Sequence, residues 1–316
     1  MSNQSQPASA NSMVEMVMDS TSGLQKFKLR EPKGSSAEIF LYGGQVTSWK
    51  NERGEELLFM SSKAAFKPPN PIRGGIAICY PQFSNMGSLD KHGFARNRVW
   101  SIDPNPSLPP SKDNTVVNLL LKPTNEDMKI WPHSFELRLR VTLEAGKLQL
   151  TPRVRNTDSK PFTFTLAVHT YLSVSDISDV RVEGLETLDY FDNLLDQKRF
   201  TEQGDSLTFD SEVDRVYLST PASLALIDHE KKRTFVIRKS GFPDAVVWNP
   251  WDKKSKAMVD FGDDEYMRMV SIEAAAVEKP ITLKPGEEWT GYQELEVVSS
   301  SYFSGQMDPV NLKVKS

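Results

Sequence analysis

Apolar and polar residues alternate with a period of two along much of the chain, which is the pattern of half-buried β-strands. The clearest run starts at Phe135, where apolar residues at every second position up to Leu143 alternate with charged and polar ones. Ala145-Gly146 follows, and the alternation resumes at Leu148, so this region predicts a β-hairpin. Further strands are predicted in segments rich in β-branched and aromatic residues, at 38–42, 56–60, 115–121, 233–237, 245–248 and 289–298.

Helical periodicity is scarce, and residues 190–199 form the one segment that we predict as a helix. No internal repeat and no break in composition divides the chain. We therefore predict an all-β protein, a β-sandwich of large antiparallel sheets with few short helices. Residues 26–300 form its domain. Residues 1–25 are predicted to be a disordered lead, because 2–12 are rich in Ser, Asn, Gln and Ala, and residues 301–316 form a C-terminal tail.

Charge and hydropathy exclude several classes of protein. The 316 residues carry 38 Lys and Arg against 42 Asp and Glu, a net charge of −4, which argues against a nucleic-acid binder. A small anionic ligand stays possible, because a few arginines suffice to bind it. No apolar run approaches the ~18 residues of a membrane span, and residues 1–25 lack the basic residues of a signal or transit peptide. We expect a cytoplasmic protein.

The single cysteine, Cys79, excludes an intrachain disulfide and fits a reducing compartment. It lies in an apolar run, residues 76–80, so a small buried hydrophobic residue is the preferred interpretation and a catalytic thiolate the alternative. Spacing of Cys and His typical of zinc sites is absent, and we expect no metal.

His169 is the first candidate for chemistry. On a strand, Phe162, Phe164, Leu166 and Val168 share one face, whereas His169 lies on the other with small and hydroxyl-bearing residues. Such a face suits a groove that binds sugar. An ordinary solvent-exposed face with a surface histidine is the alternative.

Glu273 is the second candidate. It follows Val270 and Ile272 and precedes three alanines, so its carboxylate is expected to be partly desolvated. Desolvation raises the pKa of a carboxyl group and makes it a better base near neutral pH. A surface glutamate at a strand end is the alternative. His169 and Glu273 are 104 positions apart, so only the fold can bring them together.

A cationic segment is the third candidate. Gly74-Gly75 permits a tight backbone path beside Arg73, and His92-Gly93 precedes Arg96. Two arginines next to such flexible, glycine-containing segments are able to bind a phosphate or carboxylate bidentately. The Arg-Gly-Gly triplet is a weak signal by itself. His133 and His229 lie in polar, loop-like surroundings and receive no role.

Six short motifs, taken in order, resemble the glucose-6-phosphate 1-epimerases, the hexose-6-phosphate mutarotases of the aldose 1-epimerase superfamily. They are Arg73-Gly-Gly-Ile, His92-Gly-Phe-Ala-Arg96-Asn, Leu166-Ala-Val-His169-Thr-Tyr171, Val213-Asp214-Arg215-Val216-Tyr217, Val247-Trp248-Asn249-Pro250-Trp251 and Glu273-Ala, spread over roughly residues 30 to 298. The His-Gly-Phe-Ala-Arg and Trp-Asn-Pro-Trp motifs are the most specific of the six.

The resemblance implies a galactose-mutarotase-like β-sandwich with an active site in a groove on one sheet. It implies that His169 is the general acid and Glu273 the general base. Arg73, Arg96 and Asp214 would contact the substrate, with the arginines nearest its phosphate, and His92 would line the site. Where the family often has Gln, this chain has Lys91, which we expect to add a cation beside the phosphate.

The implied function is the interconversion of the α and β anomers of a hexose 6-phosphate, without a cofactor or metal, by a protein expected to be a monomer. A mutarotase of unphosphorylated aldoses is the nearest alternative. A non-catalytic carbohydrate-binding protein on the same fold is a second, and it has no need of both His169 and Glu273. A glycoside hydrolase is less favoured, because such enzymes usually use two carboxylates and the sequence offers one strong candidate.

Overall fold

The computed structural model describes residues 13–106 and 114–300, and these residues form two large antiparallel β-sheets packed face to face. The first sheet has eleven strands, in the spatial order β1 (Val14–Met18), β2 (Gln25–Arg30), β3 (Ser36–Phe40), β4 (Gln45–Lys50), β5 (Ile76–Cys79), β10 (Phe162–Ser173), β18 (Met269–Leu283), β17 (Asp244–Asn249), β14 (Val213–Tyr217), β12 (Asp189–Asp192) and β13 (Lys198–Thr201).

The second sheet has nine strands among the residues described. In spatial order they are β11 (Val180–Glu183), β15 (Ser223–Asp228), β16 (Arg233–Ser240), β20 (Tyr292–Ser299), β9 (Lys147–Asn156), β8 (Phe135–Glu144), β7 (Thr115–Leu121) and β6 (Ser101–Ile102), with β19 (Glu288–Thr290) beside β9. The predicted all-β class with large antiparallel sheets is confirmed.

The helices of the described part of the chain are short. They are α1 (Asn125–Ile130), α2 (Trp251–Ala257) and the 3₁₀ segments Ala95–Asn97, Ile177–Asp179, Asn193–Leu195 and Glu265–Arg268. With six and seven residues, α1 and α2 are far below the ~20 residues that a helix needs to cross a bilayer. Thr124 begins α1 with a capping box, in which Asp127 bonds back to the Thr124 backbone.

The main core lies between the two sheets, and the alternation of β10 shows how it is filled. Phe162, Phe164, Leu166 and Val168 lie in this core with the inward-facing residues of β8 and β9. Ala167 and Tyr171 lie in separate, smaller clusters on the other face of the first sheet. The predicted assignment of the two faces of this strand is therefore confirmed.

Most predicted strands are confirmed, and two segments differ. Residues 56–60 form isolated bridges instead of a strand, among them Leu58 with Leu172 and Met60 with Gly74. Leu57 and Leu58 are both buried, so the segment lacks the alternation of a regular strand. The predicted strand at 289–298 is divided at Gly291, whose backbone N–H donates to the carbonyl of Pro152.

The predicted helix at 190–199 is wrong. The segment instead forms the hairpin of β12 and β13, with a short 3₁₀ turn between them. Asp196 and Gln197 adopt positive φ angles of 51° and 59°, which a helix does not allow. The ring of Tyr190 packs between Phe200 and Tyr217, with centroids 5.8 and 5.1 Å away, so burial of aromatic rings in the sheet overrides the helical spacing.

The predicted disordered lead, residues 1–25, needs correction where the structure describes it. Val14–Met18 forms the edge strand β1, in which Val14 pairs with Leu29. Lys26 closes the turn to β2 through an ion pair with Asp19 at 2.8 Å. Residues 1–12 and the predicted tail at 301–316 lie outside the described residues.

Candidate active site

A pocket of about 540 Å³, including its open mouth, lies on the face of the first sheet that points away from the main core. Its floor crosses four neighbouring strands, β10, β18, β17 and β14, and its walls come from the segment after β5 and from α2. The lining residues are Arg73, Phe83, Ser84, Lys91, His92, Arg96, His169, Asp214, Val246, Trp248, Lys254, Met258 and Glu273. All seven residues singled out from the sequence are among them.

His169 and Glu273 meet at the floor of the pocket, because β10 and β18 pair in the register that places them opposite each other. Val168 pairs with Ala274 and Tyr171 with Ser271 on either side of them. His169 Nδ1 lies 3.2 Å from Glu273 Oε1. Both side chains are buried, so the two surface alternatives considered from the sequence are wrong.

The polar atoms of this pair are largely unsatisfied. Both ring nitrogens of His169 and Glu273 Oε2 are buried and make no hydrogen bond within the described residues. Ser271 Oγ donates to Glu273 Oε1 over a long 3.4 Å. Buried polar atoms normally have partners, so these atoms point to a ligand that would complete their hydrogen bonds.

Burial and neighbouring charges shift the pKa values of the pair in opposite directions. Desolvation, together with the positive charges of Arg96, Arg73 and Lys91, lowers the pKa of His169 well below its usual value. Desolvation and the nearby carboxylate of Asp214 raise the pKa of Glu273 well above its usual value. Both shifts favour the uncharged forms of the two groups.

Aromatic rings fix the plane of the His169 imidazole. Tyr171, two positions along the same strand, stacks on it with centroids 4.5 Å apart and an interplanar angle of 22°. His92 and Trp248 approach its edge at 5.5 and 6.1 Å. The imidazole is therefore held in orientation by packing, while its nitrogens stay available to a ligand.

Arg73 enters the pocket from the segment before β5 and is held by two partners. Its Nε and Nη2 donate to the carboxylate of Asp260 at 3.2 and 3.3 Å, and its Nη1 donates to the Tyr171 hydroxyl at 3.0 Å. Gly75, at a φ of 63°, passes so close to β4 that a Cβ there would lie 2.1 Å from the carbonyl oxygen of Val46. This close passage fixes the backbone next to Arg73.

The segment after β5 supplies His92 and Arg96. The backbone N–H of Ser84 donates to His92 Nδ1 at 3.2 Å, so a neutral His92 carries its proton on Nε2. Burial lowers the pKa of His92, which favours that neutral form. Arg96 Nη2 donates to the Lys91 carbonyl at 2.8 Å, whereas its buried Nε makes no hydrogen bond within the described residues.

Lys91 and Asp214 both line the pocket. Lys91 is an exposed residue, but desolvation of its ammonium and the positive charges of Lys254, Arg73 and Arg96 lower its pKa. Asp214 Oδ1 accepts a hydrogen bond from Asn193 at 2.7 Å, and burial raises its pKa.

Among the residues to which sequence reasoning gave no role are Tyr171 and Asp260, which contact His169 and Arg73, and Lys254 of α2 and Met258 just after it, which line the pocket. The signal for α2 was the spacing of Trp251, Lys254, Ser255 and Met258 after Pro250, but seven residues are too few for a clear period.

The structure also brings Cys79 close to the site. Its Sγ and the ring nitrogens of His92 and His169 lie within 4.8 Å of one another, so we considered a metal site. Desolvation raises the pKa of the Cys79 thiol, His92 Nδ1 already accepts a hydrogen bond, and three cations face the cluster. These features oppose the binding of a cation, and Cys79 is a buried apolar neighbour of the site, as predicted.

Comparison with known proteins identifies the family. The family model of aldose 1-epimerase matches residues 25–296. The chain belongs to the aldose 1-epimerase family. A Cenchrus ciliaris protein named "Putative glucose-6-phosphate 1-epimerase" is 64% identical over 298 residues, which cover 92% of this chain and 90% of that protein. An Escherichia coli protein of the same name is 32% identical over 241 residues, 76% of this chain and 79% of that protein.

A solved structure from Salmonella typhimurium described as a "putative mutarotase" superposes on this chain with a TM-score of 0.79. It is 27% identical and covers 90% of this chain and 97% of its own. The family resemblance and the galactose-mutarotase-like fold predicted from the motifs are both confirmed. As a member of this family the protein is an isomerase.

Proposed function

We propose that this member of the aldose 1-epimerase family interconverts the α and β anomers of glucose 6-phosphate. The observation that carries the proposal is the combination of a buried histidine–carboxylate pair on the pocket floor with three cations, Arg96, Lys91 and Arg73, around it. The pair supplies acid and base, and the cations supply charge for a phosphate. The names of the two relatives support the same substrate.

The proposed reaction opens and closes the pyranose ring by two proton transfers. The reactive form is the ion pair, which differs from the uncharged pair by transfer of one proton from Glu273 to His169, 3.2 Å away. In that form ionised Glu273 takes the proton of the C1 hydroxyl while protonated His169 gives a proton to the ring oxygen, so the bond from C1 to the ring oxygen breaks and a C1 carbonyl forms. Rotation about the C1–C2 bond presents the other carbonyl face, and closure returns both protons. Each well-placed transfer contributes about 10²–10⁴ to the rate. No cofactor is needed.

The walls of the pocket would orient the sugar phosphate. Arg96, with its unpartnered Nε, and Lys91 are proposed to bind the phosphate, and Arg73, which Asp260 already neutralises in part, would reach it from the side of Tyr171. Asp214 would accept hydrogen bonds from ring hydroxyls. A neutral sugar would leave these cations without an anion, and unpaired polar groups at a site reduce affinity.

Exchange NMR on glucose 6-phosphate tests this function. We expect the wild-type protein to exchange the anomers rapidly and the His169→Asn and Glu273→Gln variants to exchange them near the uncatalysed rate. Exchange on glucose, measured in parallel, should be much slower than on glucose 6-phosphate. Wild-type activity in either variant would remove that residue from the mechanism, and equal rates on both sugars would favour a mutarotase of unphosphorylated aldoses.

We further propose that the protein acts as a monomer in the cytoplasm. One chain supplies every residue that lines the pocket, so the chemistry needs no second subunit. The free thiol of Cys79 is compatible with a reducing compartment. Light scattering coupled to size-exclusion chromatography should give the mass of one chain, 35.6 kDa.

A further inference from the structure

Helix α2 presents one of its faces to the pocket, and the Trp-Asn-Pro-Trp motif positions that face. Lys254 of α2 and Met258, which directly follows the last residue of the helix, line the pocket. Asn249 accepts a hydrogen bond from the backbone N–H of Trp251 at 2.9 Å and donates to the Met269 carbonyl at 2.9 Å. The start of α2 is thereby tied to the start of β18, the strand that carries Glu273. The motif thus fixes Lys254 relative to the acid/base pair.

Lys254 faces cations that come from a different part of the chain. Its charge acts on Lys91 across the pocket and contributes to the lowered pKa of that residue, as do Arg73 and Arg96. Bringing like charges together in a partly desolvated space costs free energy. An anion placed between the two groups of cations would remove that cost.

The partner that Lys254 has in the structure satisfies it poorly. Its Nζ lies 3.1 Å from Glu212 Oε1, at the half-exposed rim of the pocket. The contact lacks the geometry of a hydrogen bond, and Glu212 Oε1 is buried without a hydrogen-bond partner within the described residues. A lysine ammonium has three N–H donors, so Lys254 retains donors for another acceptor.

We propose that Lys254 is a specificity-determining residue that binds the phosphate of the sugar phosphate together with Arg96, and that Glu212 is a counter-charge which competes with the phosphate for Lys254. This inference rests on the proposed function, since it assigns a further residue to the same substrate. It predicts that Lys254 strengthens the binding of the phosphate and that Glu212 weakens it.

The test compares two lysines of the same helix. We expect Lys254→Met to raise the KM for glucose 6-phosphate about tenfold, the usual loss for one hydrogen bond to a charged group. Its kcat should stay within about twofold, because the acid/base pair is untouched. Lys253→Met removes the same charge from an exposed position outside the pocket and is the matched control. Equal values of KM in the two variants would overturn the inference.

Glu212→Gln distinguishes a competing counter-charge from a merely structural ion pair. If Glu212 competes with the phosphate, its removal lowers the KM for glucose 6-phosphate by about two- to fivefold. If the ion pair only holds α2 in place, Glu212→Gln raises the KM as Lys254→Met does, and the inference fails.

Titration calorimetry with inorganic phosphate separates this inference from the proposed function. If the wild type binds phosphate and Lys254→Met binds it about tenfold more weakly, the role of Lys254 is supported even when glucose 6-phosphate is not turned over. If Lys254→Met binds phosphate as the wild type does, the role of Lys254 is excluded, whatever the rate of anomer exchange. Failure of exchange in the wild type, by contrast, overturns the proposed function alone.

Discussion

The floor and the rim of the pocket are built in different ways. The floor residues His169 and Glu273 lie on two central, paired strands, are buried, and are driven toward their uncharged forms. The rim residues Lys91, Arg96 and Lys254 lie on a loop segment and a short helix, and they are more exposed. The paired strands thus carry the groups proposed to move protons, and the loop, the 3₁₀ segment and α2 carry the charges proposed to select the substrate.

The largest expected effect is on the floor. Glu273→Gln should lower kcat for anomer exchange by about 10²–10⁴, because an amide cannot accept the proton of the C1 hydroxyl. The KM should change little, since the rim is intact. Steady-state kinetics on glucose 6-phosphate would show the split, and a variant that changes KM instead of kcat would contradict the division between floor and rim.

The next effect is at the rim. Arg96→Ala should raise the KM for glucose 6-phosphate about 10- to 100-fold, because it removes a guanidinium whose buried Nε has no hydrogen-bond partner within the described residues from the proposed phosphate site. Activity on glucose should fall far less. Equal losses on both sugars would show that Arg96 supports the fold of the pocket and does not select the phosphate.

A smaller effect is expected where floor and rim are joined. Tyr171→Phe keeps the ring that stacks on His169 but removes the hydroxyl that accepts from Arg73 Nη1. Loss of one hydrogen bond predicts a change of about threefold in kcat/KM. Phe59→Leu is the matched control for packing. The centroid of the Phe59 ring lies 6.3 Å from that of Tyr171, and Phe59 does not line the pocket. No change in Tyr171→Phe would mean that the hydroxyl contact is not used.

The smallest effect concerns stability. Because the pKa of Glu273 is raised in the folded protein, its contribution to the free energy of unfolding is fully present below about pH 4.5 and is lost as pH rises through the raised value. Glu273→Gln removes this loss, so the variant should gain stability relative to wild type as the pH rises from 5 to 8. Urea unfolding of the wild type and the variant at pH 5 and at pH 8 measures this difference in stability. A difference that does not grow with pH would refute the shift.

The sequence predicts the fold correctly where a strand buries only one of its two faces. The alternation in β8, β9 and β10 predicted both the strands and the face that carries His169, because each has one face in the core. The residue pattern does not predict the structure at 56–60, where the neighbouring Leu57 and Leu58 are both buried. It also misleads at 190–199, where a short hairpin with two positive φ angles has the residue spacing of a helix.

The site was accessible only in part. Sequence patterns marked His169 and Glu273 one by one, but their contact depends on the register between β10 and β18, which no local pattern contains. The family resemblance supplied that link. Lys254 was missed because α2 is too short for a period, and Asp260 because its role depends on a contact with Arg73, 187 positions away in the chain.

The cations around the pocket have a consequence for the timing of the chemistry. Arg96, Arg73 and Lys91 all act against a proton on His169, yet the proposed reaction needs the imidazolium. A bound phosphate dianion would offset their field and raise the proton affinity of the ring. Binding of a sugar phosphate would then favour protonation of His169, the proposed general acid. A neutral sugar would instead bind beside an unprotonated imidazole, which has no proton to give. Selection would thus act on turnover as well as on occupancy.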